Sequence, residues 1–335
     1  MLIGPDVTTS QTGPDPVITL SGATRRFNGL TAVHDLTLQV EPGTILGLIG
    51  PSGSGKTTTI RMLTGTLEPS EGEIRVGGQD PRRFTRGLRE RIAYMPQLFS
   101  LYTDLTAEEN VGFVAALYGI SWFGRSGKIR RALEIVDLWD ARRRRAGDLS
   151  GGMQRRLDLA CAIVHEPDIL FIDEPTAGID PMLRQAIWDE LRRMRDEGRT
   201  LLVTTQYVGE AEYCDAVALL AEGELVALDT PAAMRQRVFG GEVLEIETDA
   251  PISPELLGNV GEVLSVRQAA PRKLIAVVSD AGTATPRLME TITDGGIGVI
   301  SMEEYQPSFD EVFAELVRER RAERDGAERE GSDHA

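Results

Sequence analysis

The sequence predicts an α/β protein with a mostly parallel sheet, followed by a second, smaller α+β domain. An apolar strand at residues 44–49 leads into a glycine-rich loop and then into a helix over about residues 56–63. Strands and helices alternate again from residue 169 to residue 228, which is typical of a parallel sheet covered by helices. After Phe239-Gly240-Gly241 the order becomes β-α-β-β-α-β-α over residues 243–317, which predicts a domain of the split βαβ type.

The length of 335 residues suits two domains. We expect the first to cover residues 17–239, with a helical subdomain over about residues 98–153, and the second to cover residues 242–317. Pro, Gly, Thr and Asp are frequent in residues 1–16, which predicts a disordered leader. Mixed Arg and Glu after residue 317 predict a frayed helix that gives way to a disordered tail up to residue 335.

The composition excludes several classes of function. The net charge of −16 makes general nucleic-acid binding a poor fit, because that binding needs Lys and Arg to neutralise phosphates. Cys161 and Cys214 lie outside any CxxC or Cys/His cluster, so neither a zinc site nor a disulfide is expected. This use of cysteine indicates a reducing, cytosolic compartment. No run of roughly 20 apolar residues and no secretory signal is visible, so any membrane part would belong to another chain.

Residues 50–57, Gly-Pro-Ser-Gly-Ser-Gly-Lys-Thr, fit the phosphate-loop pattern G-x-x-x-x-G-K-[ST] at every position. Glycines let backbone N–H groups turn towards phosphate oxygens, and the helix that follows presents its positive N-terminus. We expect Lys56 to reach the β- and γ-phosphates of ATP and the Thr57 hydroxyl to coordinate Mg²⁺. The predicted ATP contacts in this loop are Gly50, Ser52, Gly53, Ser54, Gly55, Lys56, Thr57 and Thr58.

Two carboxylates follow the apolar strand at residues 169–172. In phosphate-loop ATPases an Asp at such a strand end holds Mg²⁺, and we assign this role to Asp173. Glu174 is then available as the general base that polarises the attacking water, an effect worth about 10²–10⁴-fold. Without the loop upstream, two solvated acids at a strand end would explain the pair equally well.

Residues 149–154, Leu-Ser-Gly-Gly-Met-Gln, resemble the LSGGQ signature of ATP-binding cassette (ABC) ATPases, with Met153 before the Gln. The segment has the chemistry of a second anion-binding turn at a helix start. The resemblance implies head-to-tail dimers in which one subunit's signature covers the γ-phosphate held by the other. We expect a homodimer, although the sequence leaves a heterodimer open. The residues that would act on the other subunit's ATP are Ser150, Gly151, Gly152, Gln154 and Asp180.

Further segments resemble motifs of this family in the family's order, over about residues 17–238. Gln97 resembles the Q-loop glutamine, which reaches magnesium and the attacking water, and residues 176–181 resemble the D-loop that contains Asp180. Phe27 lies where the family keeps an aromatic ring stacked on adenine.

One position departs from the family pattern. Gln206 replaces the usual histidine, and an amide can donate to the γ-phosphate but cannot take a proton. We therefore expect that Glu174 still makes the site hydrolytic and that Gln206 is a neutral γ-phosphate sensor. A slow or degenerate site is the alternative.

Three segments resemble the ATPases of drug, lipid and polysaccharide exporters: residues 105–111, 117–119 and 307–313. The resemblance implies an export ATPase at the cytoplasmic face of the membrane, bound to a separately encoded permease. The apolar residues 98–102 would line the groove that receives the permease, or would belong to the core. An importer ATPase and a soluble ABC protein that does not act in transport are the alternatives.

Overall fold

The structure is a computed structural model that describes residues 15–98 and 100–332, with the side chains given up to residue 320 and at residue 322. Residues 1–14 of the expected leader, and Phe99 of the apolar segment, lie outside this range. The chain divides into two compact units. The first contains residues up to 207 and residues 213–228, and the second contains residues 208–212 and the chain from residue 229 onward.

The first unit contains nine strands and six α-helices among the described residues. In chain order they are β1 Ile18–Phe27, β2 Leu30–Val40, β3 Ile45–Ile49, α1 Lys56–Leu63, β4 Glu71–Val76, α2 Arg86–Arg89, β5 Ile92–Met95, α3 Ala107–Leu117, α4 Trp122–Ile135, α5 Gly151–Ile163, β6 Ile169–Asp173, α6 Pro181–Asp196, β7 Thr200–Thr205, β8 Ala216–Ala221 and β9 Glu224–Asp229.

Two sheets form this unit. The larger has the strand order β5-β6-β7-β3-β8-β9, and the pairs from β5 through β8 are parallel. Every residue of β3, β6 and β7 is buried, because parallel strands in the middle of such a sheet are covered on both faces. The smaller sheet, β2-β1-β4, is antiparallel. The prediction of a mostly parallel α/β sheet is therefore confirmed.

Helices α3, α4 and α5 contact one another. Thr106 begins α3 with a capping box, in which its hydroxyl accepts from the Glu109 N–H and the Glu109 carboxylate accepts from the Thr106 N–H. The buried Asn110 side chain accepts from the Tyr102 N–H at 2.9 Å and donates to the Tyr102 carbonyl at 3.0 Å. These bonds hold the segment before α3 against the helix.

The second unit contains three α-helices and four strands in its described part. They are α7 Pro231–Phe239, β10 Glu242–Thr248, β11 Val263–Ala270, β12 Lys273–Val278, α8 Ala281–Asp294, β13 Val299–Glu304 and α9 Phe309–Ser332. The strand order β11-β12-β10-β13 is antiparallel throughout, and one face of the sheet packs on Ala284, Leu288 and Ile292 of α8. This topology confirms the split βαβ prediction. The helix expected near residues 254–258 is a single 3₁₀ turn, Pro254–Leu256.

Two expected boundaries differ from the structure. The second unit begins at residue 229 rather than 242, because α7 contacts α9 and Arg235 of α7 donates to the Pro307 carbonyl at 3.3 Å. Helix α9 continues to Ser332, so the tail expected to be disordered from residue 318 is helical over residues 318–332. Glu and Arg favour helices, and Glu315 pairs with Arg318 at helical spacing, which supports this extension.

None of the helices in the described residues is both long enough and apolar enough to cross a membrane.

Candidate nucleotide-binding site

The glycine-rich loop leaves the C-terminal end of β3 and is closely packed. The Gly50 N–H donates to the Thr205 carbonyl at 3.3 Å, and a Cβ on Gly50 would lie 2.1 Å from the Leu220 carbonyl oxygen. Gly55 has φ +100°, and a Cβ there would lie 2.6 Å from the Ala32 carbonyl oxygen. Only glycine fits either position, so the loop's shape is fixed by the neighbouring backbone.

The Lys56 side chain lies inside the loop and is 5% exposed. Its ammonium donates to the Gly50 carbonyl at 2.8 Å and to the Pro51 carbonyl at 2.9 Å. Burial lowers the pKa of this ammonium, and the Glu174 and Asp173 carboxylates oppose the shift. The loop therefore encloses a cation that can exchange its carbonyl partners for phosphate oxygens.

The remaining loop residues differ in accessibility. Ser52 and Gly53 are exposed, and Thr57 and Thr58 are half-buried at the start of α1. Ser54 is 2% exposed, and its hydroxyl oxygen makes no hydrogen bond within the described part of the chain. A buried hydroxyl without a partner is uncommon in proteins, and here it fits a loop built to meet the oxygens of a ligand.

Asp173 ends β6, where its register partner is Thr204 of β7. The Thr204 hydroxyl donates to Asp173 Oδ1 at 2.5 Å, and Thr57 Oγ1 lies 3.4 Å from the same oxygen. Asp173 Oδ2 is buried and has no hydrogen-bond partner among the described residues. An unpaired carboxylate oxygen beside a hydroxyl suits Mg²⁺ bound together with nucleotide phosphates. Within the described residues, no group of three His, Cys, Asp or Glu side chains could hold a metal by itself.

Glu174 follows in a left-handed conformation with φ +51°, which is uncommon for a residue with a side chain. Its N–H donates to both the carbonyl and the hydroxyl of Thr204, at 3.1 Å each. This geometry directs the carboxylate towards Gln97, whose Nε2 donates to Glu174 Oε2 at 3.0 Å. The structure thus brings the predicted base and the predicted Q-loop glutamine into contact.

Gln206 directly follows β7 and is exposed. The preceding residue, Thr205, accepts the Gly50 N–H, so Gln206 lies next in sequence to a direct contact of the phosphate loop. Its role towards the γ-phosphate stays a prediction.

Phe27 ends β1 and is 39% exposed. The guanidinium of Arg25 lies 4.5 Å from the centre of the ring, a cation–π contact that the sequence did not indicate. Adenine stacking on Phe27 also stays a prediction.

The signature segment forms the start of α5. Ser150 is the N-cap, and its hydroxyl accepts from the Met153 N–H at 3.3 Å. Ser150 and Gly151 are exposed and Gly152 is half-buried, so the turn is accessible from outside the chain. An exposed helix N-terminus of this kind suits an anion.

Asp180 and Gln154 both make contacts within the chain. Asp180 is the exposed N-cap of α6 and accepts from the Leu183 N–H at 3.0 Å. Gln154 donates to the Ala146 carbonyl at 2.9 Å, which ties α5 to the turn before it. Action of either residue on a second subunit's ATP stays a prediction.

Arg155 is the residue that the sequence analysis did not select. It is 3% exposed, and its guanidinium donates to backbone carbonyls of two separate segments. Nη1 donates to Pro96 at 2.6 Å and to Gln97 at 3.1 Å, and Nη2 donates to Glu174 at 2.8 Å and to Asp173. The helix that carries the signature is therefore bonded to the backbone beside both catalytic candidates.

Comparison with known proteins identifies the family of both parts of the chain. Residues 33–177 match the model of the ABC transporter family, and residues 230–317 match the C-terminal domain of DrrA1-3-like ATP-binding proteins. The chain is 38% identical over 314 residues to the daunorubicin/doxorubicin resistance ATP-binding protein DrrA of Streptomyces peucetius, covering 91% of this chain and 94% of that protein.

This chain belongs to the ABC transporter family of ATP-binding proteins. Another relative, a Nod factor export ATP-binding protein I of Paraburkholderia xenovorans, is 35% identical over 83% of this ABC protein and 91% of its own length. A probable multidrug ABC transporter ATP-binding protein of Escherichia coli, YbhF, is 39% identical over 70% of this chain, which spans only 41% of YbhF. The family resemblance predicted from the signature is confirmed.

Solved structures agree with the fold. An ATP binding subunit of an ABC transporter has a TM-score of 0.61 and 28% identity, over 67% of this ABC protein and 93% of that chain. The ATP-binding cassette MJ0796, in a dimeric post-hydrolysis state with ADP and Pi, has a TM-score of 0.59 and 25% identity, over 64% of this chain and 98% of its own.

Proposed function

We propose that this ABC protein hydrolyses ATP as one half of a homodimer and thereby drives export through a separately encoded membrane permease. The observation that carries the proposal is the arrangement at one edge of the parallel sheet. Lys56 begins α1 directly after the loop that leaves β3, while Asp173 ends β6 and Glu174 follows it, with Gln97 bonded to Glu174. Ligand sites of parallel sheets lie at the carboxyl ends of their strands.

Each residue has a distinct task in this proposal. The loop and Lys56 bind the phosphates of ATP, and Thr57 and Asp173, with Gln97 nearby, would hold Mg²⁺. Bound Mg²⁺ would neutralise part of the negative charge on the β- and γ-phosphates. Glu174 polarises the attacking water as general base, with Gln97 orienting its carboxylate. Gln206 donates to the γ-phosphate from the end of β7.

The dimer rests on the exposed helix starts. Ser150 at α5 and Asp180 at α6 are both accessible, and one chain has no use for a second anion-binding turn on one nucleotide. The structurally similar cassette MJ0796 is dimeric in its post-hydrolysis state with ADP and Pi. We therefore expect the signature of one copy to complete the ATP site of the other.

The permease would dock on an apolar surface of the first unit. Leu98 is 81% exposed and Tyr102 is 53% exposed, so neither of these two residues belongs to the core. Tyr102 contacts the ring of Phe113 at 4.9 Å, and the exposed Leu117 lies one turn further along α3. Leu117 also borders a groove of about 580 Å³, and exposed apolar surface of this kind marks interaction sites.

The relatives favour export. DrrA is named for drug resistance, another relative for Nod factor export, and YbhF as probably multidrug. These names support an exporter over an importer, and the C-terminal domain shared with DrrA supports the same class.

Turnover and binding measurements test the hydrolytic role. We expect Glu174→Gln to lower ATP turnover about 10²–10⁴-fold while ATP binding persists, because the carboxylate acts on water rather than on the loop. Lys56→Ala should lose binding itself. The matched control is Glu166→Gln, because Glu166 is an exposed glutamate that also has a positive φ, +56°.

Wild-type turnover in Glu174→Gln would contradict the assignment of the base. Gln206→Ala tests the sensor separately, and an unchanged rate in that variant would exclude the sensor role while leaving hydrolysis intact.

Membrane association tests the partner. The chain should co-purify with detergent-solubilised membranes of its own cells, and Leu117→Asp should abolish this by placing a charge in the apolar surface. Leu264→Asp is the control, since Leu264 is 56% exposed but lies in the second unit. A chain that never associates with membranes would contradict transport and favour a soluble ABC enzyme.

A further inference from the structure

The guanidinium of Arg155 joins two segments that are far apart in sequence. Its four hydrogen-bond acceptors are the backbone carbonyls of Pro96 and Gln97 on one side and of Asp173 and Glu174 on the other. The side chains of Gln97 and Glu174, 77 residues apart, meet beside it at 3.0 Å. One buried side chain thus fixes the backbone from which both members of the catalytic pair project.

This use of an arginine has an energetic cost. Burial lowers the pKa of the Arg155 guanidinium, while the carboxylates of Asp158, Asp173 and Glu174 raise it. A buried cation needs most of its donors satisfied, and here backbone carbonyls accept the four hydrogen bonds from Nη1 and Nη2, while Nε is buried without a partner among the described residues. A planar fork can bridge two segments, whereas a lysine ammonium is a point charge that cannot span both in the same way.

Glu174 is the member of the pair that most needs support. Its left-handed φ of +51° is unfavourable for a residue with a side chain and persists only where the surroundings hold it. The N–H of Glu174 is held by Thr204, and its carbonyl is held by Arg155. Loss of the second contact would free the peptide and change the distance from the carboxylate to Gln97.

We infer that Arg155 is a positioning residue for hydrolysis, which sets the contact between Gln97 and Glu174 by clamping their backbones together. Arg155 lies on α5, five residues after Ser150, or about 7.5 Å along the helix at about 1.5 Å per residue. The signature turn and the catalytic pair are therefore connected through one rigid helix. This inference rests on the proposed hydrolytic function.

The test compares Arg155→Lys with a neighbouring arginine of the same helix. Arg155→Lys keeps the charge but loses the fork, so we expect turnover at saturating ATP to fall at least about tenfold. The dissociation constant of a fluorescent ATP analogue should change less than about twofold, because Arg155 does not touch the phosphate loop. The control is Arg156→Lys. Arg156 has a side chain 14% exposed and donates to the Val136 and Asp137 carbonyls at 3.1 Å, away from the site.

A double-mutant cycle separates positioning from general support of the fold. If Arg155 acts through the contact between Gln97 and Glu174, its substitution should have little further effect in a Gln97→Ala background. Multiplying effects in that cycle would overturn the inference. So would unchanged turnover in Arg155→Lys, or loss of ATP binding together with turnover, which indicates a structural role.

The outcomes for the two proposals differ. A wild-type chain with turnover that Glu174→Gln abolishes but Arg155→Lys leaves intact would refute the inference and leave the function standing. A wild-type chain that binds ATP without hydrolysing it, alone and with its membrane partner, would refute both.

Discussion

Replacing Asp158 by Asn should stabilise the first unit at neutral pH and change it little in acid. Asp158 lies on α5 and is 3% exposed. Its Oδ1 accepts from the N–H of Ser100 at 3.3 Å and from the Ser100 hydroxyl at 3.2 Å, whereas Oδ2 is buried without a partner in the described residues. Burial raises the pKa of this carboxyl to about 6, although the Ser100 hydrogen bonds and the charge of Arg155 oppose the shift.

The magnitude follows from the difference between this pKa and the ordinary value of 3.8. At about 1.4 kcal/mol per pKa unit, ionising Asp158 costs the folded state about 3 kcal/mol. The folded chain holds the proton more tightly than the unfolded chain. The folded state is therefore free of this cost below pH 3.8, where Asp158 is protonated in both states, and bears it in full once the pH has risen through about 6. Asn keeps the Oδ1 acceptor and never ionises, so Asp158→Asn should gain up to about 3 kcal/mol at pH 7.5 and almost nothing at pH 4.

Tryptophan fluorescence during urea unfolding measures this difference selectively, because all three tryptophans, at positions 122, 139 and 188, lie in the first unit. The control is Asp137→Asn. The Asp137 side chain is 99% exposed, and its φ of +52° is one that Asn tolerates well. A variant Asp158→Asn that is no more stable than wild type at pH 7.5, or that gains equally at both pH values, would refute the reasoning.

Three further predictions concern stability and reactivity. Burial lowers the pKa of His165 to about 4, so the stability that the neutral imidazole contributes above pH 6.5 is lost progressively as the pH falls from 6.5 to about 4. His165→Phe should therefore reduce the loss in urea midpoint between pH 7.5 and pH 4.5. Phe309→Ala should destabilise the second unit by about 3–5 kcal/mol in calorimetry, whereas Ile300→Ala, at a residue 61% exposed, should have little effect. Both cysteines are buried, and burial raises the pKa of the Cys161 thiol, so both should react slowly with a thiol reagent until urea is added.

The phosphate loop could be predicted from sequence because its constraints select particular residue types. Gly50 and Gly55 are fixed by the close approach of backbone and by a positive φ, and the residue types themselves report such constraints. The carboxylates at the end of β6 were predictable for a related reason, because a strand buried on both faces has a continuous apolar sequence that ends at polar residues.

The boundary between the units was harder to locate. The sequence placed the change between domains at Phe239-Gly240-Gly241, but Gly240 has φ +69° and simply ends α7. A left-handed glycine gives the same signal at any helix end. Whether α7 belongs to the first or the second unit depends on its packing against α9, and no local pattern reports that contact.

The role of Arg155 was not predicted from the sequence because its hydrogen-bond partners are backbone carbonyls. A carbonyl is present at every residue, so a contact such as that between Arg155 and Glu174 leaves no complementary residue type in the sequence. The available signal was the position itself. Arg155 and Asp158 occupy the helical spacing of buried residues on α5, together with Leu159 and Ala162. Charged residues on a buried face of a helix are rare enough to deserve a functional explanation.

In the proposed mechanism, the side chain of Gln206 limits where the proton of the attacking water can go. An amide donates hydrogen bonds but accepts no proton near neutral pH, so Gln206 can stabilise charge on the γ-phosphate without taking part in proton transfer. In the proposed mechanism the proton would pass to Glu174, whose carboxylate accepts from Gln97 at 3.0 Å and whose backbone is held by Arg155. A site that relies on one base depends strongly on that base's placement. With Gln206 unable to take a proton, the proposed mechanism leaves Glu174 as its only base, and the Arg155 contacts would be what keeps that base in place.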